Sequence, residues 1–170
     1  VKDLLKGKEK LIICGDLKND FGSITKKEWS DTLNFIDSID KDIILIKGNH
    51  DNILLPIVKK RKLKIYDFYY EKQILFIHGD RSLEELSKLE GFEEKYKKSK
   101  MIVMGHEHPS ISIKDDERVE RYKCFLQTEI DDKRLIVLPS FSNANYGSDL
   151  TKSVFLSPIL KGFKNEEIKV

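Results

Sequence analysis

The sequence predicts a mixed α/β fold with an added β layer, on three observations. Four short runs, Leu11–Cys14, Ile43–Ile46, Ile74–Ile77 and Met101–Met104, are wholly apolar and rich in Ile, Leu and Val, with no polar alternation. Such runs suit strands covered on both faces. Between the first two lies an amphipathic helical stretch, which makes a strand, helix, strand unit. From Tyr122 onward two strand-like segments flank Asp131-Asp132-Lys133, the pattern of an antiparallel hairpin.

Taken in order, the first strand ends at Gly15-Asp16, and Thr25-Lys26-Lys27-Glu28 then has capping-box spacing. Trp29, Leu33, Ile36 and Ile39 follow on one stripe, as a helix packed on the sheet requires. Further helices are predicted over about 53–61 and 83–97, the second with Leu83, Leu86, Leu89 and Phe92 facing the core amid charged residues. Parallel crossovers in this alternating order should be right-handed. Tyr122–Ile130 and Arg134–Leu138 are the predicted hairpin arms. Prolines 56, 109, 139 and 158 are scattered as element boundaries, and there is no repeat or low-complexity linker. One domain spanning residues 1–170 is expected.

Composition bounds the function. With 39% hydrophobic residues, nine Phe, six Tyr and one Trp, the 170-residue chain can bury a core, which excludes disorder or a fibre. Lys+Arg number 31 against 29 Asp+Glu, so a net charge of +2 gives no bulk electrostatic reason to bind nucleic acid or membrane. No apolar run approaches the ~18–20 residues of a membrane span, and Val1-Lys2-Asp3-Leu4-Leu5-Lys6 has no secretory core. A cytoplasmic protein with no membrane partner is expected. Cys14 and Cys124, far apart in apolar segments, read as reduced thiols rather than a disulfide.

Each apolar run stops at residues able to bind a metal: Gly15-Asp16, Gly48-Asn49-His50-Asp51, His78-Gly79-Asp80 and Gly105-His106-Glu107-His108. Ligands bind at the carboxyl ends of strands in α/β sheets, so these loops should converge. All four histidines of the chain lie in them. Asp and Asn oxygens with His nitrogens, and no thiolate, suit Mn²⁺, Fe or Zn²⁺ with open positions rather than a closed structural zinc site. In an extended segment His106 and His108 would point to one side and Glu107 to the other, so the pair could serve two neighbouring metals. Two bridged ions are a recurring device for attack on a phosphoester.

In these blocks and their order the chain resembles the calcineurin-like metallophosphoesterases over about residues 11–108. Gly15–Gly22, with Pro139-Ser140-Phe141 and Leu156-Ser157-Pro158, is similar to the archaeal predicted phosphoesterases related to the nuclease subunit of repair complexes. The resemblance implies a two-sheet α/β/β/α sandwich and hydrolysis of a phosphoester, a phosphodiester in nuclease-like fashion, by a metal-bound hydroxide. It implies two divalent cations, Mn²⁺ first and Fe, Zn²⁺ or Ni²⁺ otherwise. Asp16 would bridge them, Asn49, His78 and His106 would complete one site, and His108 would belong to the other. His50 matches the family's non-ligand histidine, which assists the leaving group. Where many relatives place an aspartate to orient that histidine, Asn19 stands here, with Asp20 next.

The family's Asp-x-His block, which comes before Gly-Asp, does not occur in the sequence, and the chain opens on Val1. The expectation is a domain truncated ahead of its first strand, with one tight cation site and a second, at His108, that is incomplete.

Weaker signals carry less. Lys59-Lys60-Arg61-Lys62 with Lys64 could meet a polyanion, or simply cap a helix end. Arg81 could bind a substrate phosphate or make a surface ion pair. Asp51 and Asp80 read as loop formers or partners of ligands, and Ser140, Ser142, Asn143 and Asn145 as a polar loop after a strand, by default turn chemistry and otherwise a lining of the pocket. Lys18, near the same edge, carries no derivable role. Substrates compatible with the residues include DNA, RNA, a nucleotide, a phosphoprotein or a small phosphodiester. The alternative to an enzyme is a non-catalytic, metal-stabilised nucleic-acid-binding module. A nucleotide-binding fold is disfavoured because no Gly-rich phosphate loop follows a strand.

Overall fold

Strands β1 (Lys10–Ile13), β2 (Asp42–Ile46) and β3 (Ile65–Tyr66) lie side by side in a wholly parallel sheet, with Leu11 opposite Ile43 and Ile13 opposite Leu45. The structure, a computed structural model, describes residues 1–17, 25–51, 54–116, 118–142, 147–152, 154–163 and 168–170, without the side chains of 55 and 59. Helices α1 (Lys26–Asp37) and α2 (Leu55–Lys60) make the two crossovers. The Thr25 hydroxyl caps α1 by accepting the Glu28 N–H at 3.1 Å. Buried Ile36, with Trp29, Leu33 and Phe35, meets Ile13, Ile43, Leu45 and Ile65 of the sheet together with Leu54, Ile57 and Val58. Three residues of the predicted stripe, Trp29, Leu33 and Ile36, are there, whereas Ile39 lies past the end of the helix at Asp37 and Phe35 joins the cluster.

A second sheet runs β4 (Phe68–Glu71), β5 (Ile74–Ile77), β6 (Met101–Met104), β10 (Lys133–Val137) and β9 (Leu126–Ile130) in that spatial order. β5, β6 and β10 are parallel, and the two outer pairs are antiparallel. On one face Leu75, Ile77, Ile102, Met104, Leu126, Leu135 and Val137 are buried under Leu86 and Phe92 and the C-terminal residues Leu150, Ile159 and Leu160. Leu86 comes from α3 (Leu83–Ser87) and Phe92 from α4 (Phe92–Lys98).

The opposite face is apolar but only half-buried at Ile74, Phe76, Met101, Val103 and Ile136. It is turned toward the first sheet. Glu71 and Tyr69 stand opposite Ile74 and Phe76, and both meet Lys10 of β1, the carboxylate at 2.5 Å and the ring at 5.9 Å. Tyr66 of β3 packs on Tyr69 with ring centres 5.7 Å apart. The layers therefore run helices, sheet, sheet, helices, as an α/β/β/α sandwich. The expectation of strands covered on both faces is met in β2, where neighbouring Leu45 and Ile46 are both fully buried, and on the helix-covered face of the second sheet, whereas the inner face of that sheet is only half-buried.

Two elements differ from expectation. The predicted helix over 83–97 is two helices: the first ends at Ser87 with Lys88 as its C-cap, and after a short turn Gly91, left-handed at φ 76°, is the N-cap of the second. Tyr122 belongs not to the hairpin but to β8 (Arg118–Lys123), which pairs with β7 (Pro109–Asp115), itself beside β11 (Ser148–Asp149). The Cys124 N–H still bonds the Pro109 carbonyl at 3.1 Å, so the chain leaves this third sheet only at Phe125. The hairpin proper joins β9 to β10 through Asp131 and Asp132, both left-handed at φ 48° and 59°, as a two-residue hairpin turn requires. Both cysteines are free thiols, and no helix among the described residues is long and apolar enough to cross a membrane.

Candidate metal centre

The loops leaving β1, β2, β5 and β6 meet at one edge of the sandwich, and the atoms closest together there are metal-ligand types. His78 Nε2 lies 3.3 Å from Asp16 Oδ2, 3.0 Å from Asn49 Oδ1 and 3.2 Å from His106 Nδ1. Its other ring nitrogen, Nδ1, is 2.7 Å from the Cys14 carbonyl oxygen, which only accepts, so Nδ1 carries the proton. In the neutral ring Nε2 is then a lone pair facing two oxygens that also only accept. That convergence is stable only if a proton or a cation sits among the four atoms. Burial lowers the affinity of His78 for a proton, but the bond and charge of Asp16 outweigh it and raise its pKa. Asp16 mirrors this: burial pushes its carboxyl up, while His78 and the His50 N–H pull it below the ordinary aspartate value.

The loops reach this arrangement by close backbone approach. A Cβ at Gly15 (φ 86°) would overlap the His78 ring, and one at Gly48 would stand 2.5 Å from the Asp16 nitrogen, so neither position tolerates a side chain. Asp51, fully buried, accepts the N–H of Asp16 at 2.8 Å and of Gly48 at 3.0 Å through one oxygen and so pins the β1 and β2 loops together. The His50 N–H donates to Asp16 Oδ1 at 3.1 Å, and its ring Nε2 lies 3.9 Å from Oδ2, at the partly exposed mouth. Asp16, His106 and His108 hold left-handed φ values of 53°, 62° and 49°, strain of the kind that collects at functional sites.

The β6 loop is not extended. With both histidines left-handed, and the Glu107 N–H bonded to the Gly105 carbonyl at 2.7 Å, His106 and His108 are not presented as neighbours on one side of a strand. Glu107 does turn away, into the interior. Among the described residues, one group of acidic and imidazole side chains has its ligand atoms within 4.8 Å of one another: Asp16, His78 and His106. His108 stands outside that group but within electrostatic reach of Asp16, His78, Lys123 and His50. Burial, ahead of any charge, pushes the pKa of both His106 and His108 down, which favours the neutral, ligating form.

The remaining candidates take defined places. The Arg81 guanidinium bonds Asp67 at 3.0 Å, so contact with a substrate would require it to leave that partner. Arg61 of the basic cluster is held in a fork by Asp37, at 2.5 and 2.6 Å. The Lys123 ammonium binds the carbonyls of Ser140 and Ser142, so that loop is tied to β8 beside the site. Lys18, Asn19, Asp20, Asn143 and Asn145 lie outside the described residues, and with them the two candidates for orienting His50. Sequence reasoning missed the Cys14 carbonyl, and no signal could have found it, since it is backbone.

Donors bonded to one divalent cation at about 2.0–2.2 Å stand roughly 3.0–3.5 Å apart at octahedral or tetrahedral angles. The gaps of 3.0, 3.2 and 3.3 Å at His78 Nε2 have that spacing, and the O/N donor set is that of a catalytic rather than a structural site, so these residues fit a divalent metal. No curated protein and no solved structure gives a significant match to this chain. The family model for calcineurin-like phosphoesterases, however, matches residues 1–129, which include every element of this centre. The chain therefore belongs to the calcineurin-like phosphoesterase family and is a hydrolase acting on phosphoester bonds.

Proposed function

We propose that the chain hydrolyses a phosphodiester in nuclease-like fashion, with Asp16, Asn49, His78 and His106 holding one divalent cation and Asp16 with His108 contributing to a second. The observation that carries the reading is the convergence of Asp16, Asn49 and His106 on Nε2 of His78, the ring nitrogen turned away from the Cys14 carbonyl. Mn²⁺ is the proposed cation, as suits a set of carboxylate, amide oxygen and imidazole. Bound there, a divalent cation lowers the pKa of a water and draws charge from phosphoryl oxygens.

The protein's own groups do the rest. The Cys14 carbonyl accepts the Nδ1–H of His78 and so fixes the ring with Nε2 turned toward Asp16, Asn49 and His106. Asp51 keeps Asp16 and the Gly48–His50 turn in register. His50 sits over Asp16 with its ring partly open to solvent, where an imidazolium can give its proton to a departing alkoxide. The preference for a phosphodiester is supported by the likeness of Pro139–Phe141 and Leu156–Pro158 to repair-related phosphoesterases. A cytoplasmic location belongs to the same reading.

The test is hydrolysis of single-stranded DNA, duplex DNA, a generic phosphodiester and a phosphomonoester with Mn²⁺. Diester turnover is expected, and His50→Ala should lower it by roughly 10²–10⁴-fold while Mn²⁺ still binds. Activity confined to the monoester refutes the phosphodiester reading. Salt-sensitive DNA binding without turnover, unchanged in His50→Ala, would make the chain a binding module instead.

A further inference from the structure

Between the two histidines of the β6 loop stands a fully buried carboxylate, Glu107, whose Oε2 accepts the backbone N–H of Leu156 at 2.9 Å and of Ser157 at 2.8 Å. Ser157 is also fully buried, and its hydroxyl donates to the carbonyl of Gly79, the residue after His78, at 2.6 Å. The same hydroxyl accepts the Ile159 N–H at 3.3 Å. A continuous hydrogen-bonded path thus runs from the His78 loop through Ser157 to the His106–His108 loop. Its anchor is the core, where Ile159 and Leu160 belong to the same buried cluster as Ile77 and Met104, the last residues of β5 and β6.

We propose that Glu107 and Ser157 are positioning residues: they form a clasp that sets the spacing between the His78 loop and the His106–His108 loop, and through it the affinity of the centre for its cation. The proposal rests on the reading of His78 and His106 as ligands. Three conformations in these loops, Gly79 at φ 107°, His106 at 62° and His108 at 49°, are left-handed, and the two histidines persist there only if surrounding structure holds them. A buried carboxylate is a costly way to fill volume that an apolar side chain would fill better. Its oxygen instead joins two segments about fifty residues apart at the point where one of them carries ligands. Groups that orient metal ligands in this way change metal affinity by about 10–100-fold when removed.

The experiment is calorimetric titration of the full chain with Mn²⁺ alone, beside thermal unfolding without the cation. The variants are Ser157→Ala, Glu107→Gln, His78→Ala and Ser99→Ala. Ser99 is a control: it is buried and donates its hydroxyl to the Tyr96 carbonyl at 2.7 Å, at the far end of β6 from the ligand loop. Ser157→Ala and Glu107→Gln should each weaken Mn²⁺ binding about tenfold or more, while Ser99→Ala lowers only the unfolding temperature. Should Glu107→Gln fail to fold, Ser157→Ala decides alone. Binding by Ser157→Ala within about twofold of wild type, with His78→Ala abolishing it, overturns the clasp and leaves the metal centre standing. Binding unchanged in His78→Ala overturns the centre and the clasp with it.

Discussion

Replacing Asp51 by Ala removes one oxygen that two backbone N–H groups share, those of Asp16 at 2.8 Å and Gly48 at 3.0 Å. Hydrogen bonds to a carboxylate contribute roughly 1.5–3 kcal/mol each, and a buried donor left without an acceptor costs about 1–3 kcal/mol. The Gly48 N–H is buried and the Asp16 N–H partly so, which puts the loss at about 3–4 kcal/mol, short of the full sum because the Asp16 N–H can be reached by water. At about 2–4 °C per kcal/mol for a chain of this size, the unfolding temperature should fall by roughly 10 °C. Asp51→Asn retains one oxygen at the same reach and should lose about 1 kcal/mol. Urea unfolding of the three proteins measures the differences through the midpoint at constant slope. Mn²⁺ affinity should follow the same order, since Asp51 sets Asp16 against Asn49. An Asp51→Ala midpoint within about 1 kcal/mol of wild type would refute the claim that this carboxylate pins the two loops.

Two further outcomes follow from the structure. Hydrogen bonds from the Ser112 and Thr151 hydroxyls hold the buried Asp149 carboxyl down to about 2, with the Thr151 N–H and Arg121 adding to them. An unfolded aspartate, near ~3.9, takes up its proton first, so this stability is complete above pH ~4 and is lost as pH falls toward 2. Acid titration of the urea midpoint should therefore be flatter below pH ~4 for Asp149→Asn than for wild type, and equal slopes would contradict the assignment. Lys72 and Gln73 join β4 to β5 with left-handed φ values of 49° and 65°, so Lys72→Asn with Gln73→Gly should raise stability by about 1 kcal/mol. A midpoint that stays put or falls would show that the turn is not strained.

Much of the centre was legible because strand ends are local events. Cys14, Ile46, Ile77 and Met104 each end an apolar run at or next to a strand end, and the polar residue types in the loops that follow name their own chemistry. The capped helix was legible for the same reason: Thr25 and Glu28 are three residues apart. The break between Ser87 and Phe92 is not legible in the stripe of Leu83, Leu86, Leu89 and Phe92, because a glycine such as Gly91 inside a helical pattern can be tolerated or can accompany a break. The His106–His108 segment was misread as extended because period-two spacing holds only for strand backbone, and both residues are left-handed. Tyr122 fits either hairpin, and its pairing with Ile111 in β7 was decided by a neighbour eleven residues earlier.

What the sequence by itself determined is the inventory: four strands, four loops, and in them a carboxylate, an amide and the chain's four histidines, a donor set suited to a catalytic divalent metal. Strand propensity and ligand chemistry are properties of residues and their near neighbours, so they can be read one segment at a time. What only the tertiary structure decided is which atoms face one another. His78 takes its tautomer from a carbonyl 64 positions away, His50 leans on a carboxylate 34 positions away, and Glu107 turns from solvent toward backbone 50 positions away. Such contacts depend on the closing of two sheets and the backbone of their loops, and a spacing along the chain carries no distance across it.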